Sequence, residues 1–454
     1  MNKYSSKIIK MLDSVDYRFK FPTVNLNDNK FIYDILNMVD TVHKEDINLD
    51  SIIGKDLPSL HHVDQYPLLY IFFRSMYEKN LLNKLFDHSP DITNFWEFIN
   101  WYTDHQHLID YSSIEKIVTK FGDDEIATLN KMIFKVGGDR KSLHSLLYDN
   151  PFVSIDVQQH AESIDLKYYI LDNDEYKIEF YIPKDLEDHI SHLRKIVLTT
   201  KIMSSIAKKY NLYSKPKLVI FLGKQKKYTP ERFATFTSKN VNSGSTMKRT
   251  FVNVWRYEEY CKVLIHELIH FFCMDFNYTD DYYSDVKSVI DRHFDVSGID
   301  RCNEAYTETL ATIIHSCVCS KLQNLDINKV YYYELKFITF QTAKIIKHFG
   351  GTHYIDLDKT KKSSKITIKQ YTSVLSYYIL KMLLMYNIVK FLNMVSEIEI
   401  QCTGDNVKMF STLLHETINS EFPDSDLINI FIDKLDSLKD SFIHKTMRMT
   451  CMNM

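Results

Sequence analysis

The sequence predicts an α+β protein in which a central unit with a small sheet and one strongly apolar helix is flanked by mostly helical chain. Three observations carry that prediction. Apolar residues recur at three- and four-residue spacing through much of the first 150 residues and again from Asn303 onward, as in amphipathic helices. Between these regions the pattern changes to short runs bounded by turn residues, such as KLVIFLG. Glycine (10) and proline (9) are also scarce for 454 residues, which argues against long flexible linkers and low-complexity segments.

Taken in order, residues 1–150 read as a helical N-terminal region, carried by IYDILNMVDTVHK, PLLYIFFRSMYEKNLLNKLF and EIATLNKMIFKVG. The adjacent His61 and His62 would point apart on a helix and read as surface or capping residues. After Pro151, KYYILDNDEYKIEFYIP holds two strand-like runs around Asp-Asn-Asp, a hairpin signal. SHLRKIVLTTKIMSSIAKKYN follows as an amphipathic helix, KLVIFLG as a short buried strand, and SGSTMKRTFVNVWR as one further strand. That strand leads through Tyr257, Glu258 and Glu259 into the apolar helix VLIHELIHFF. The central unit spans 151–320 and ends with the helix NEAYTETLATIIHSCVCSKL. Residues 321–454 form a helical C-terminal subdomain: YYYELKFITFQTAKIIKHFGG with a glycine pair suited to a C-cap, one long helix YTSVLSYYILKMLLMYNIVKFLNMV, and two amphipathic pieces with a loose end.

Composition narrows the partners. Hydrophobic residues at 45% and charged residues at 25% are those of a soluble globular protein. A net charge of -3 gives no case for nucleic acid or an anionic membrane, both of which favour a basic surface. Cys261, Cys273, Cys302, Cys317, Cys319, Cys402 and Cys451 are odd in number and form no CxxC pair, which predicts free thiols in a reducing compartment. With no apolar N-terminal stretch of signal-peptide type, the expected location is cytoplasmic. The longest apolar run is interrupted by Lys381, Asn387 and Lys390 and reads as a buried helix, not a membrane span.

The stretch that carries chemistry is His266-Glu267-Leu268-Ile269-His270, an H-E-x-x-H pattern inside an apolar helix. Residues four apart share a helix face, so both imidazoles can reach one Zn²⁺ while Glu267 acts as general base on the attacking water. Unpaired, two histidines and a glutamate would be costly in such a core. A zinc ion used for catalysis takes a third protein ligand and keeps one position open. Glu304 and Glu308 lie four apart on a predicted helix downstream: one can reach the metal, the other can hold the outer nitrogen of a ligating histidine. Alone, that pair would read as two solvent-facing carboxylates.

HELIH followed by Asn303-Glu304-Ala305-Tyr306-Thr307-Glu308 resembles the gluzincin group of zinc metallopeptidases, whose thermolysin-like members carry an Asn-Glu-x-x-Ser-Asp segment. The peptidase domain of lethal-factor-type toxins has a similar Asn-Glu-Ala segment. The resemblance covers about residues 165–320. It implies a zincin-like catalytic domain, with His266, His270 and Glu304 as zinc ligands and Glu308 orienting a ligand, His266 by expectation. It further implies hydrolysis of a protein or peptide that adds in extended form to an edge strand, here 251–256 or the stretch just before it.

The sequence departs from these relatives in places. Thirty-three residues lie between His270 and Glu304, so an insertion around 275–300 must fold beside the site. The chain has no Gly-Ala-Met-Glu-Asn segment of the aminopeptidase type, and an endopeptidase is expected. The residue that stabilises the oxyanion does not align. Tyr377, Tyr378, His348 and His353 are candidates, of which Tyr378 is preferred. His293 reads as a surface residue, and His315 and the Cys317/Cys319 pair as core. The alternative is a catalytically inactive peptidase-like binding module with a structural zinc site closed by a fourth ligand such as Cys302 or His315. A further alternative is a helical interaction protein that binds no metal.

Overall fold

The structure is a computed structural model, and the residues it describes are 3–15, 24–45, 47, 49, 52–57, 141–276, 283–298, 301–361, 366–420, 422 and 424–454. His61, His62 and the predicted helices around 67–86 and 125–137 lie outside them. In chain order the described elements begin with α1 (Lys3–Asp13), α2 (Lys30–Lys44), β1 (Ile53–Leu57), α3 (Lys141–Tyr148) and α4 (Ile155–Ser163). The central elements are β2 (Leu166–Asp172), β3 (Lys177–Pro183), α5 (His189–Lys209), β4 (Lys217–Phe221), β5 (Gly244–Met247), β6 (Phe251–Val254) and α6 (Tyr260–Phe271). After α6 come α7 (Tyr283–His293), β7 (Val296–Gly298), α8 (Asn303–Leu322), α9 (Ile327–His348) and β8 (Ile368–Gln370).

Six strands form a mixed sheet in the order β1-β2-β3-β4-β6-β5. β3, β4 and β6 run parallel, and β1, β2 and β5 pair antiparallel with their neighbours. Alternation along the strands sorts the side chains onto two faces. Ile178, Phe180 and Ile182 of β3, with Leu218 and Ile220 of β4, enter the main core under α5 and α6. Tyr181 and Phe221 point the other way, into a smaller cluster with Leu143, Leu146 and Leu147 of α3 and Val157 of α4.

Helix α6 lies at the centre of the main core, and every side chain on it is buried except that of His270, which is partly so. Leu264, Ile265, Leu268 and Ile269 are at most 1% exposed, and each contributes on the order of 1.5–3 kcal/mol by leaving water. That anchoring fixes the polar residues between them. The helix starts at Glu259, whose φ of 60° turns the chain sharply out of the sheet. It stops at Cys273, also left-handed at φ 58°, with the Met274 N–H donating to Ile269 O at 2.9 Å. This is the left-handed stop that usually employs glycine, and it folds residues 274–276 back beneath the last turn.

Several expectations are corrected. The N-terminal region, expected to be mostly helical, also contributes a strand that was not foreseen, since β1 pairs with β2 and extends the sheet. Residues 244–254 form a hairpin, not a single strand, so the edge is β5 and β6 is internal. The turn carries no glycine; Arg249 takes its left-handed conformation at φ 60°, and alternation alone gives no sign of it. The long C-terminal helix is broken into a wide π-helical turn (Leu375–Leu380), α10 (Lys381–Tyr386) and α11 (Ile388–Glu397), the latter bent away by 94°. The break falls at Asn387, whose amide donates to the Leu383 carbonyl at 3.1 Å and competes with helix continuation. No single described helix is long and apolar enough to cross a membrane.

Beyond these, α12 (Gly404–Asn419), α13 (Ser425–Ser437) and α14 (Ser441–Lys445) match the two predicted amphipathic pieces and one short addition. The loose end is not observed. Met447, Arg448, Thr450, Cys451 and Met452 are all at most 1% exposed. Their polar groups are satisfied from surrounding helices: Glu259 accepts the Met449 and Thr450 N–H groups at 2.6 and 2.7 Å, and Glu334 accepts that of Met452 at 3.1 Å. His293 is likewise buried, 3.4 Å from Asp358. Of the insertion expected beside the site, Asp275 lies 2.8 Å from His270, α7 packs against α12, and β7 pairs in parallel with β8.

Candidate metal centre

His266 and His270 lie one turn apart on α6, and Glu304 sits in the first turn of α8, which packs against it. Their donor atoms converge. His266 Nε2 lies 3.1 Å from His270 Nε2, and Glu304 Oε2 lies 3.3 and 3.5 Å from these two nitrogens. A tetrahedral ion with bonds of about 2.0–2.1 Å would space its ligands at roughly 3.3 Å, so the triangle has the size a zinc ion requires. All ligand atoms of the group fall within 4.8 Å of one another.

The outer nitrogens decide what the inner ones can do. His266 Nδ1 is 2.9 Å from Glu308 Oε2, and His270 Nδ1 is 2.8 Å from Asp275 Oδ2. With each Nδ1–H donated to a carboxylate, the neutral rings turn their Nε2 lone pairs toward each other and toward Glu304. Glu304 Oε2 is buried with no hydrogen-bond partner among the described residues. Three electron-pair donors therefore meet at one point, and a single cation there satisfies all of them. Without a metal the same groups hold protons. Burial opposes charge on His266, but Glu304 and Glu308 outweigh it and its pKa is raised. His270 is raised well above the ordinary imidazole value because Asp275 and Glu304 outweigh burial. Glu304 is lowered, its burial overcome by the two histidines.

Behind Glu308 lies a buried cationic pair. Lys262 and Lys381 both reach Glu308 Oε1, Lys381 at 3.1 Å, and Lys381 also donates to the Met449 carbonyl at 2.7 Å. Burial raises the Glu308 carboxyl, but the two ammonium groups overcome it and hold the pKa well below the carboxylate range. Glu308 thus stays ionised in the core and keeps His266 in one tautomer. The buried segment that follows α14 is joined to the centre through this lysine.

Glu267 lies on the face of α6 that meets the sheet edge. Its Oε2 accepts from Thr246 Oγ1 of β5 at 2.7 Å, and its carboxyl is raised by burial, partly offset by the charges of His266 and His270. Gly244 allows the approach, since a Cβ there would fall 2.5 Å from Glu267 Oε1. Glu267, the three converging residues and β5 line one cavity of about 230 Å³, together with Tyr371 and Tyr377.

Of the predicted residues, His266, Glu267, His270, Glu304 and Glu308 come together at one place. Tyr378 does not. It is fully buried and its hydroxyl donates to the Met447 carbonyl at 2.6 Å, on the side away from the cavity. Its neighbour Tyr377 occupies the cavity wall, with its ring 6.1 Å from that of His266. Burial, with Glu304 and Glu267 adding, pushes the Tyr377 phenol well above its ordinary pKa, so it stays a donor. His348 donates to the Ala234 carbonyl and His353 caps a short 3₁₀ turn, neither of them at the centre. His315 rests against Cys319 in the core, and neither it nor Cys302 belongs to the metal-binding group.

Sequence reasoning missed Asp275, Lys262, Lys381 and Thr246. Lys381 did carry a signal: a lysine inside an apolar run needs a buried counter-charge, and Glu308 provides it. No protein-family model matches the chain, and neither does any curated protein or solved structure.

Proposed function

We propose that the protein is a zinc metallopeptidase of gluzincin type, with a zincin-like catalytic unit and endopeptidase action. The observation that carries this reading is the convergence of His266 Nε2, His270 Nε2 and Glu304 Oε2 beside Glu267, in a cavity bordered by an edge strand. The three ligands leave one side of the centre facing the cavity, which favours catalysis over a closed structural site. Bound there, Zn²⁺ would act as a Lewis acid, making water more acidic and polarising the scissile carbonyl.

The protein's own groups do the rest. Glu267, placed by Thr246, takes a proton from the attacking water and returns it to the leaving amine. Burial raises its carboxyl above the ordinary carboxylate value, which favours its taking up that proton. Tyr377 is the donor to the developing oxyanion, in the role that Tyr378 was expected to fill. β5 has no strand partner on its outer side among the described residues, so an extended substrate can add there by main-chain hydrogen bonds.

Incubation of the full chain with an unfolded protein substrate tests the proposal. Cleavage should cease with a zinc chelator and return on adding Zn²⁺. Metal-bound protein without cleavage of any unfolded substrate or peptide library would favour the inactive binding module. A second expectation concerns the approach of β5 to α6. Gly244→Ala should push the Glu267 carboxylate away from Thr246 and lower turnover by about 100-fold with zinc content unchanged, because misplacing a reacting group by about 1 Å has that effect. Turnover within a few-fold of wild type would show that the close contact is not needed.

A further inference from the structure

A second cavity, of about 240 Å³, lies apart from the metal centre, between the C-terminal half of α9, the turn at 229–232 and His444 of α14. Its wall carries Arg232, Lys344, Lys347, His348 and His444, and no acidic residue. We propose that this cavity is a binding site for a phosphate-class oxyanion, either inorganic phosphate or the phosphomonoester of a small molecule.

Lys344 is the centre of the case. It is 4% exposed, and its ammonium donates only to main-chain carbonyls, those of Ile443 at 3.2 Å and Thr446. Among the described residues no carboxylate lies within ion-pair distance of it. A buried ammonium without a counter-ion is costly, and an anion entering the cavity supplies that counter-ion. Burial accordingly lowers the Lys344 pKa to about 7, with Glu258 opposing.

The neighbouring groups act in the same sense. Burial lowers His444, and Lys344 and Lys347 lower it further; burial lowers His348, and Arg232 adds to this. The acid at the rim is the exposed Asp436, 2.5 Å from Lys347. Part of the basic character has a simpler origin, since Lys347 and His348 lie in the last turn of α9, where cations complement the helix dipole. That does not account for Lys344, which turns toward residues 443–446, or for Arg232 and His444, which come from other segments. Groups from three separate parts of the chain converge on one concavity lined by basic side chains and no carboxylate. A tetrahedral dianion takes several such donors at once, and a carboxylate or chloride fewer.

The test is calorimetric titration of inorganic phosphate into the full chain, with chloride at matched ionic strength as the control. Saturable binding of phosphate at one site, absent with chloride, is expected. The exposed pair Arg232→Ala and His444→Ala together should weaken it by about tenfold or more, and Lys344→Met should abolish it. A metal at the first site would also take up phosphate, so the Glu304→Ala variant is titrated in parallel and should bind phosphate unchanged. Because Lys344→Met also removes main-chain hydrogen bonds, the double variant at the surface is the deciding arm. No saturation with phosphate, equal response to chloride, or binding that survives the double variant would overturn the proposal. Comparing inorganic phosphate with a small phosphomonoester then separates the two sources of the ligand.

Discussion

Replacing Glu267 with Gln should leave the metal in place and remove hydrolysis. The substitution keeps the shape of the side chain and its contact with Thr246, but an amide cannot take a proton from water. Glu267 is not among the three converging residues, so metal affinity should stay within a few-fold of wild type. A positioned general base contributes about 10²–10⁴-fold, and turnover should fall by at least that factor. Parallel measurement of zinc content and peptide cleavage on the same preparation checks both halves. Full turnover in the variant would remove Glu267 from the mechanism. Loss of zinc would place it among the ligands instead.

The second large effect concerns affinity for the metal and separates residues that touch it from those that hold them. Glu304→Ala removes one of three donors and should reduce zinc affinity by at least the roughly 100-fold seen at the upper end for outer-shell changes. Asp275→Asn and Glu308→Gln leave the donor set intact but weaken the grip on the two Nδ1–H groups, and each should lower affinity by about 10–100-fold. Glu308→Gln carries an added cost, since Lys262 and Lys381 would lose the carboxylate that neutralises them in the core. That variant should therefore melt at a clearly lower temperature, whereas Asp275→Asn, with one oxygen also near the half-exposed Lys248, should melt closer to wild type. Competition with a chromophoric chelator gives the affinities and calorimetry the melting points. Equal loss of zinc in Glu304→Ala and Asp275→Asn would contradict the division between ligand and orienting residue.

Much of the candidate site was legible in the chain because its residues follow short spacings. His266 and His270 four apart, and Glu304 and Glu308 four apart, need only helical periodicity to place each pair on one face. The hairpin at 166–183 and the helices α5, α8 and α9 follow from the same local patterns. What could not be read were features set by distant packing. Asp275 reaches His270 because Cys273 adopts a left-handed conformation that nothing in its identity announces. Tyr377, not Tyr378, faces the cavity because the chain takes a π-helical turn there, which changes the direction of each side chain relative to an α-helix. The burial of residues 446–452 was hidden by their polarity: Thr446, Arg448 and Thr450 look like surface residues until Glu259, Glu334 and Lys344 are seen to meet them.

The most direct measurement is the metal content of the purified wild-type chain by mass spectrometry, after dialysis against trace-metal-free buffer. About one zinc per chain, lost in Glu304→Ala, is the result expected from three donors arranged for a tetrahedral ion. A folded wild-type chain that holds no zinc, even after the metal is supplied, would contradict the metal centre and with it the proposed peptidase.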